Sequence, residues 1–145
     1  MRDATARRLS TLHRVMYRAS GGLVGKRLVN NDMLLLTTTG RTTGVEHTVP
    51  LLYLSGSSRA SQEAELYVIA SWGGRSIHPE WYLNLVEHPL VGVQVKGRRF
   101  EAEATPLEEP ERSAWWHRAV AAYDGYQAYQ SKTDRIIPVV RLDRS

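Results

Sequence analysis

The sequence predicts an α+β domain built around a largely antiparallel sheet of about six strands. After Met33 the chain runs through three short apolar or β-branched segments separated by turn-forming residues, which is typical of strands. Farther on, two segments flank Lys96 and Gly97 in the pattern of a hairpin, and a last apolar segment lies near the C-terminus. Such a sheet commonly closes into a barrel, whose mouth can hold a small ligand.

Composition indicates one globular domain with a substantial core. The 145 residues are 42% hydrophobic and include four tryptophans and seven tyrosines, which is enough apolar surface to offset the entropy cost of ordering the chain. Cysteine is absent, which excludes disulfides, thiolate metal ligands and cysteine nucleophiles. No apolar run is long enough to span a bilayer, and no secretory signal is recognisable. We therefore expect a cytoplasmic protein.

Residues 1–30 predict a basic amphipathic helix and a linker, ahead of a barrel domain over 31–145. Leu9, Leu12 and Met16 recur at helical spacing, and a glycine pair after residue 20 would end the helix. Seven lysines and arginines accompany a single acid, Asp3, in this stretch. We expect the helix to cover the barrel mouth or to contact an anionic membrane surface, because its apolar stripe needs burial and its arginines need water or phosphate.

The predicted elements follow in order from Met33. Strands are expected at MLLLTTT, HTVPLLYLS and ELYVIAS, followed by a helix in PEWYLNLVEH, where proline suits the first turn. In the hairpin, Phe100, Ala102 and Ala104 alternate with charged residues, so one face should be buried and Glu101 and Glu103 solvated.

A second helix and a last strand complete the predicted fold. The second helix should open at Pro110 and end at Asp124 and Gly125. The final strand, IIPVVRL, contains Pro138, which cannot donate to a ladder and so points to a sheet edge or a bulge.

Two glycine-bearing segments follow predicted strands. The first glycine loop (residues 40–44, GRTTG) combines two glycines with a guanidinium and two hydroxyls, a set that suits an anion, although a plain solvated turn is the alternative. It lacks the lysine and the spacing of a P-loop. The second glycine loop (residues 71–75, SWGGR) repeats these ingredients beside a tryptophan. Together they suggest a ring-shaped cofactor with a phosphate tail.

Other side chains give weaker signals. Tyr123, Tyr126 and Tyr129 recur every three residues and are expected to be half-exposed along a pocket wall, with a buried core stripe as the alternative. The histidines fall in no metal-ligand spacing, so we assign no metal. Ser71 lies in no G-x-S-x-G pattern, so it is not expected to be a hydrolase nucleophile.

In sequence order, GRTTG, HTVPLLYL, IASWGG, HPEWYLNL, AYDGYQAYQ and TDRIIPVV resemble the motifs of the deazaflavin-dependent nitroreductase family. The resemblance covers about residues 34–142. It implies an FMN-binding-type split β-barrel of six antiparallel strands with flanking helices. It also implies a two-electron reductase that uses coenzyme F420, a 5-deazaflavin. The family usually has lysine after the loop arginine and often arginine a few residues later, where this chain has Thr42 and His47.

Carried over residue by residue, the resemblance also implies a site. The implied cofactor-binding residues are Arg41, Thr42, Thr43, His47, Thr48, Val49, Pro50, Leu51, Leu52, Ile69, Ala70, Ser71, Trp72, Glu80, Trp81, Tyr82, Leu83, Asn84 and Tyr126. The implied substrate-binding residues are Ser71, Tyr123, Tyr126 and Tyr129. Ser71 and Tyr126 are the candidate catalytic residues, as hydrogen-bond partners of developing negative charge.

The implied reaction is hydride transfer to an electron-poor acceptor such as a quinone, a nitroaromatic or an activated enone. Two alternatives stay open on the same barrel: a reductase that uses FMN, and a non-catalytic carrier of a cofactor, haem or lipid. We expect no nucleic-acid partner, and either a monomer or a homodimer.

Overall fold

Six antiparallel strands form a closed barrel in the computed structural model, which confirms the α+β class and the barrel expected from the sequence. The structure describes residues 33–57 and 64–145, so the helix predicted within residues 1–30 lies outside the described residues. The elements are β1 (Met33–Thr39), β2 (Glu46–Ser57), β3 (Ala64–Ile69), a 3-10 turn (Trp72–Gly74), α1 (Glu80–Glu87), β4 (Leu90–Val95), β5 (Arg98–Pro106), α2 (Glu111–Ala122), α3 (Gly125–Ser131) and β6 (Val139–Arg144).

The strand order brings the two glycine loops to one end of the barrel. Around the barrel the order is β1, β2, β3, β6, β5 and β4, and β4 pairs again with β1. Because β1 and β3 are both antiparallel to β2, they run in the same direction and end at the same end of the barrel. The first glycine loop follows β1 and the second follows β3. We call this end of the barrel the site end.

Alternating side chains build the barrel interior. Along β1, Leu34, Leu36 and Thr38 are buried while their neighbours are half-exposed. Trp81 and Leu85 of α1 join the same buried cluster as the interior leucines and valines. Helix α1 contacts β1 and β5, and it therefore lies beside the first glycine loop with one apolar side in the core.

A second buried cluster lies between the outside of the barrel and helices α2 and α3. The strands contribute Leu52, Ile69 and Val139, each next in sequence to an interior residue, so their side chains point outward. The helices contribute Trp116 and Ala119 among others. This cluster fixes α3 against the strand end that leads into the second glycine loop.

The predicted hairpin is present between β4 and β5. Lys96 and Gly97 both have positive φ, 49° and 77°, and Val95 pairs with Arg98, as in a two-residue hairpin turn. The residues that alternate along β5 are buried on one face, and Glu101 and Glu103 are exposed on the other. Among the described residues, no helix is long and apolar enough to cross a membrane.

Two local features differ from the sequence-based expectation. Asp124 and Gly125 do end α2, but the chain enters a further helix, α3, at once. Since α3 buries Tyr126 and Tyr129, packing stabilises it despite its short length and its glycine. The prediction of an edge or bulge at Pro138 is wrong, because β6 begins just after it and pairs with both β3 and β5.

Candidate functional site

An open cleft of about 380 Å³ lies at the site end, between the first glycine loop, the start of β2 and helix α1. It is lined by Thr38, Gly40, Arg41, Thr42, Thr43, His47, Val49, Glu80, Trp81 and Asn84. Trp81 is buried in the barrel core and Val49 packs against that core, whereas the loop residues 41–44 are exposed. The cleft therefore has an apolar floor and a polar rim, as small-ligand sites generally do.

The first glycine loop is tightly folded by its own hydrogen bonds. The Gly40 N–H donates to the Val45 carbonyl at 2.8 Å, and the Gly44 N–H donates to the Gly40 carbonyl at 2.9 Å. The Val45 N–H donates to Thr43 Oγ1 at 3.2 Å. Gly44 has φ of 72°, and a Cβ on Gly40 would lie 2.7 Å from Thr43 Oγ1. The backbone conformation therefore favours glycine at residue 44, whereas at residue 40 glycine avoids close contact with Thr43 Oγ1 and with the Val45 carbonyl oxygen, 3.1 Å from the added Cβ.

Arg41 connects this loop to helix α1. Its Nη1 donates to Glu80 Oε2 at 2.7 Å and to Asn84 Oδ1 at 2.9 Å, and its backbone N–H donates to the same Asn84 oxygen at 3.2 Å. Asn84 is 4% exposed and donates from Nδ2 to the buried Thr38 Oγ1 at 3.3 Å. One buried amide thus holds both the backbone and the guanidinium of Arg41.

The Glu80 contact of Arg41 is weaker than its Asn84 contacts. The Glu80 side chain is 69% exposed, and an ion pair with so much solvent around it contributes little to stability. An anion of higher charge can therefore compete with the carboxylate for the guanidinium. The Asn84 bonds do not have to break for this exchange.

The second glycine loop has an unusual backbone. Trp72, Gly73 and Gly74 have positive φ of 42°, 64° and 80°. Ser71 is 4% exposed, and its carbonyl accepts a bond from the Gly74 N–H at 2.9 Å. The Arg75 guanidinium lies 4.5 Å from the centre of the Trp72 ring. The loop is therefore a compact turn with its aromatic ring stacked under a cation.

Arg135 holds this second loop and was not recognised from the sequence. Its Nη2 donates to the Ser71 carbonyl at 2.6 Å, its Nη1 to the Ala70 carbonyl at 3.1 Å, and its Nε to the Arg75 carbonyl at 2.7 Å. Nη1 also lies 3.1 Å from His78 Nδ1. The segment TDRIIPVV gave no sequence signal for this role, because a loop residue has no periodicity that would show its contacts.

Comparison with known proteins assigns the family. The family model described as F420H(2)-dependent quinone reductase matches residues 9–143. The chain is 35% identical over 141 residues to an F420H(2)-dependent quinone reductase of Mycobacterium tuberculosis, covering 94% of this chain and 90% of the relative. This chain belongs to the F420H(2)-dependent quinone reductase family.

Solved structures agree with this assignment. One, described as an F420-H2 dependent reductase (FDR-A), is 38% identical with a TM-score of 0.66, over 77% of this chain and 94% of that one. Another, described as a domain-swapped dimer, is 32% identical with a TM-score of 0.68, over 97% and 99% of the two chains. The chain is accordingly an oxidoreductase that uses coenzyme F420, which decides against the FMN and carrier alternatives.

The residues of the cleft fit the anionic part of this coenzyme. Arg41 supplies a fixed charge, Thr42 and Thr43 carry hydroxyls, and the absence of a Cβ at Gly40 leaves the loop closely folded at the rim. Trp81 adds a mostly buried aromatic side chain to the lining. A guanidinium with hydroxyls suits a phosphate, and the tryptophan suits an aromatic ring system.

Eight of the residues implied for cofactor binding line this one cleft: Arg41, Thr42, Thr43, His47, Val49, Glu80, Trp81 and Asn84. Thr38 and Gly40 also line it. Gly40 was expected as part of the first glycine loop but not as a cofactor-binding residue, and Thr38 was not expected at the site. The alternation of buried residues along β1 was the signal for Thr38, which follows Leu34 and Leu36 on the inward face.

The other implied residues lie outside the lining of the cleft. Strand alternation turns Thr48, Pro50 and Leu52 to the opposite face of β2 from His47 and Val49. Leu51 and Ala70 belong to the barrel interior and Ile69 to the outer cluster, while Tyr82 and Leu83 are half-buried on α1. Ser71 and Trp72 lie in the second glycine loop.

The three tyrosines are more buried than expected. Tyr123, Tyr126 and Tyr129 are 6%, 5% and 9% exposed, so the expectation of half-exposed side chains is wrong. The centres of successive rings lie 5.9 and 6.2 Å apart in edge-to-face contact within the outer cluster, so the rings pack against one another rather than against solvent. Burial, with smaller effects of the other two phenols, raises the pKa of Tyr126, so its hydroxyl stays protonated at neutral pH.

Proposed function

We propose that this chain reduces a quinone by two electrons, with the coenzyme held in the cleft between the first glycine loop and α1. When bound in its reduced form, coenzyme F420 supplies a hydride. The acceptor takes up this hydride and one proton and becomes a hydroquinone, which balances the two-electron step. The names of the family and of its Mycobacterium tuberculosis relative support a quinone as the acceptor.

The observation that carries the proposal is the double attachment of Arg41 to Asn84. Because Asn84 is buried on a helix that also belongs to the barrel core, the guanidinium has a fixed place at the rim of the cleft. A charge that is already in place costs little reorganisation when an anion binds. We infer that Arg41, Thr42 and Thr43 hold the coenzyme's phosphate, while Trp81 and Val49 support its ring system.

Ser71 and Tyr126 remain our candidates for hydrogen bonds to the acceptor or the ring. Both are protonated donors in nearly dry surroundings, where a hydrogen bond to developing negative charge is stronger than in water. Tyr123 and Tyr129 would complete the acceptor side. The depth of the tyrosines would also help to exclude water from the reacting atoms.

Stopped-flow oxidation of the reduced coenzyme by menadione tests this function. Absorbance at the coenzyme's own band is followed with wild-type protein, with protein but no acceptor, and with acceptor but no protein. We expect rapid oxidation only in the complete mixture. Binding of the coenzyme without turnover of menadione or of other quinones would reject quinone reduction. Tight binding of FMN and none of the deazaflavin would reject the coenzyme.

Thr42→Lys should strengthen coenzyme binding modestly. The position lies at the exposed rim of the cleft, so an added ammonium would attract the phosphate through solvent and contribute up to about 1 kcal/mol. Titration by coenzyme fluorescence at several salt concentrations measures both the affinity and its salt dependence, which should become steeper. A matched Ser55→Lys variant, at an exposed position towards the far end of β2, should change neither. An unchanged salt dependence in Thr42→Lys would place the phosphate elsewhere.

Asn84→Leu should weaken coenzyme binding while leaving the charge of the site intact. The change removes the acceptor of two Arg41 donors and leaves the Thr38 hydroxyl without its Asn84 partner. We expect a loss of about 1–3 kcal/mol in the free energy of unfolding, and a coenzyme affinity about tenfold lower with the salt dependence retained. Val86→Ala, on the exposed side of α1, is the control. Wild-type affinity in Asn84→Leu would show that Arg41 needs no fixed position.

Of the two expected assembly states, we propose a homodimer. The related structure described as a domain-swapped dimer covers almost the whole of this chain, which supports this choice. Light scattering after size-exclusion chromatography would show twice the 16.4 kDa mass of the chain. A monomer at all concentrations would reject it. Contact of the basic N-terminal segment with an anionic membrane surface remains a prediction, which vesicle sedimentation can test.

A further inference from the structure

Four hydrogen-bonding contacts converge on the Arg135 guanidinium from two separate stretches of chain. Three carbonyls belong to the end of β3 and the second glycine loop, at Ala70, Ser71 and Arg75. The fourth partner, His78 Nδ1, lies just before helix α1. A planar guanidinium donates in fixed directions, so a fork of this kind sets the relative position of the groups it contacts.

The loop that carries Arg135 is itself held from both sides. Gln130 of α3 donates from Nε2 to the Arg135 carbonyl at 2.8 Å and accepts at Oε1 from the Ile137 N–H at 3.2 Å. The Arg135 N–H donates to Thr133 Oγ1 at 3.3 Å. The backbone around Arg135 is therefore held by hydrogen bonds from α3, the helix that carries the buried Tyr126 and Tyr129.

The contact with His78 fixes the state of the imidazole. Arginine has donors only, so the 3.1 Å contact with Nδ1 requires this nitrogen to accept and to carry no hydrogen. The imidazole is then neutral with its hydrogen on Nε2. The ring also lies 4.7 Å from the ring of Tyr82 on α1, at a 50° angle, which restrains its orientation.

We propose that Arg135 is a positioning residue for the acceptor side of the site, because it fixes the second glycine loop against the start of α1 and keeps His78 as the neutral Nε2–H tautomer. This rests on the proposed function, in which Ser71 hydrogen-bonds the acceptor or the ring. The Ser71 carbonyl has the shortest of the Arg135 contacts, so displacement of the guanidinium moves the residue proposed to act on the acceptor.

The charges around His78 favour the same state. Burial and, to a smaller degree, the positive charge of Arg135 lower the pKa of His78. The phenol of Tyr82 stays uncharged, because burial raises its pKa. Glu80, two residues along the chain, is paired with Arg41. Arg135 is thus the charged group that opposes protonation of this imidazole.

Two substitutions distinguish the effect of the positive charge of Arg135 from the effect of its hydrogen bonds to the three carbonyls. Arg135→Gln removes both, whereas Arg135→Lys keeps the charge and cannot reach all three carbonyls in the same geometry. We expect both variants to lose on the order of tenfold to a hundredfold in kcat with menadione, as misplaced reacting groups do. Coenzyme affinity should stay within about threefold of wild type, because the charge at Arg41 is untouched. Arg99→Gln, in the hairpin at the other end of the barrel, is the control.

Nuclear magnetic resonance of the coenzyme-free protein gives a readout that is independent of turnover. The nitrogen shifts of His78 in the wild type should show a bare Nδ1 and a protonated Nε2. The pKa of His78 should rise in Arg135→Gln and stay low in Arg135→Lys. A hydrogen on Nδ1, an unchanged pKa in Arg135→Gln, or wild-type kcat in both variants would overturn the proposal.

These outcomes are distinct from failure of the proposed function. If the wild type turns over menadione while both variants match it, the role of Arg135 is rejected and the function stands. If the wild type reduces no quinone, the function is rejected, and the resonance data on His78 still decide whether Arg135 holds the neutral tautomer. If Arg135→Gln does not fold, the test rests on kcat of Arg135→Lys and on the tautomer of His78 in the wild type.

Discussion

Arg41→Ala is expected to weaken coenzyme binding by about tenfold to a hundredfold. The guanidinium is the fixed positive charge at the rim of the cleft, and a charge-assisted hydrogen bond to phosphate contributes roughly 1.5–3 kcal/mol. The loop itself should stay in place, because the backbone N–H of residue 41 keeps its bond to Asn84 and the turn bonds around Gly40 do not involve the side chain. Fluorescence titration in low salt measures the affinity, and thermal unfolding without coenzyme should be nearly unchanged.

The comparison with Asn84→Leu makes this test specific. Arg41→Ala removes the positive charge at the rim of the cleft and leaves the loop backbone in place, so the affinity should depend less on salt concentration. Asn84→Leu removes the hydrogen bonds that hold Arg41 in place and leaves its charge, so the salt dependence of the affinity should persist. Arg98→Ala, in the hairpin at the far end of the barrel, controls for the loss of one surface arginine. If Arg41→Ala binds the coenzyme as tightly as wild type, the first glycine loop is a solvated turn and nothing more.

The strands were predictable because their signals are local. The short apolar and β-branched segment MLLLTTT indicated a strand, and the Lys96 and Gly97 pair indicated a tight hairpin turn. Both are present in the structure. Closure of the sheet into a barrel was expected from the number and type of strands. The order in which β6 lies between β3 and β5 depends on pairing between distant segments, and no local pattern reports it.

The types of residue that line the cleft were predictable from the sequence, but the hydrogen bonds between them were not. Glycines, an arginine and threonines in one loop indicated an anion site, but the buried amide of Asn84 that orients Arg41 is 43 residues away. Arg135 illustrates the same limit, because its carbonyl partners lie 60 to 65 residues earlier. Main-chain acceptors leave no trace in a sequence, since every residue has a carbonyl.

The depth of the tyrosines was misjudged for a different reason. Polar neighbours such as Gln127 and Gln130 suggested a half-exposed position. In the structure Gln127 faces solvent and Gln130 turns its amide to the backbone of the Arg135 loop, so a polar neighbour does not expose the ring beside it. Helical spacing of three residues was the better guide, and it indicated one buried face.

Gly74→Ala should be strongly destabilising, whereas Gly73→Ala should be tolerated better. Both residues have positive φ, of 80° and 64°, so alanine at either position is strained by about 1–2 kcal/mol. At Gly74 an added Cβ would also lie 2.5 Å from the Tyr129 carbonyl oxygen and 2.9 Å from the Tyr129 Cα, whereas at Gly73 it would meet nothing within 4 Å.

Because the atoms in the way at Gly74 are backbone of α3, no side chain can rotate to make room. Forcing the helix outward adds an overpacking cost of about 1–3 kcal/mol, so the total approaches a large fraction of the ~5–15 kcal/mol that holds a domain of this size folded. Urea unfolding of the two variants measures the difference directly. Equal losses in both would mean that α3 does not approach the second glycine loop closely. A much larger loss in Gly74→Ala would establish the close packing by which α3, with the buried tyrosines, supports the loop that carries Ser71.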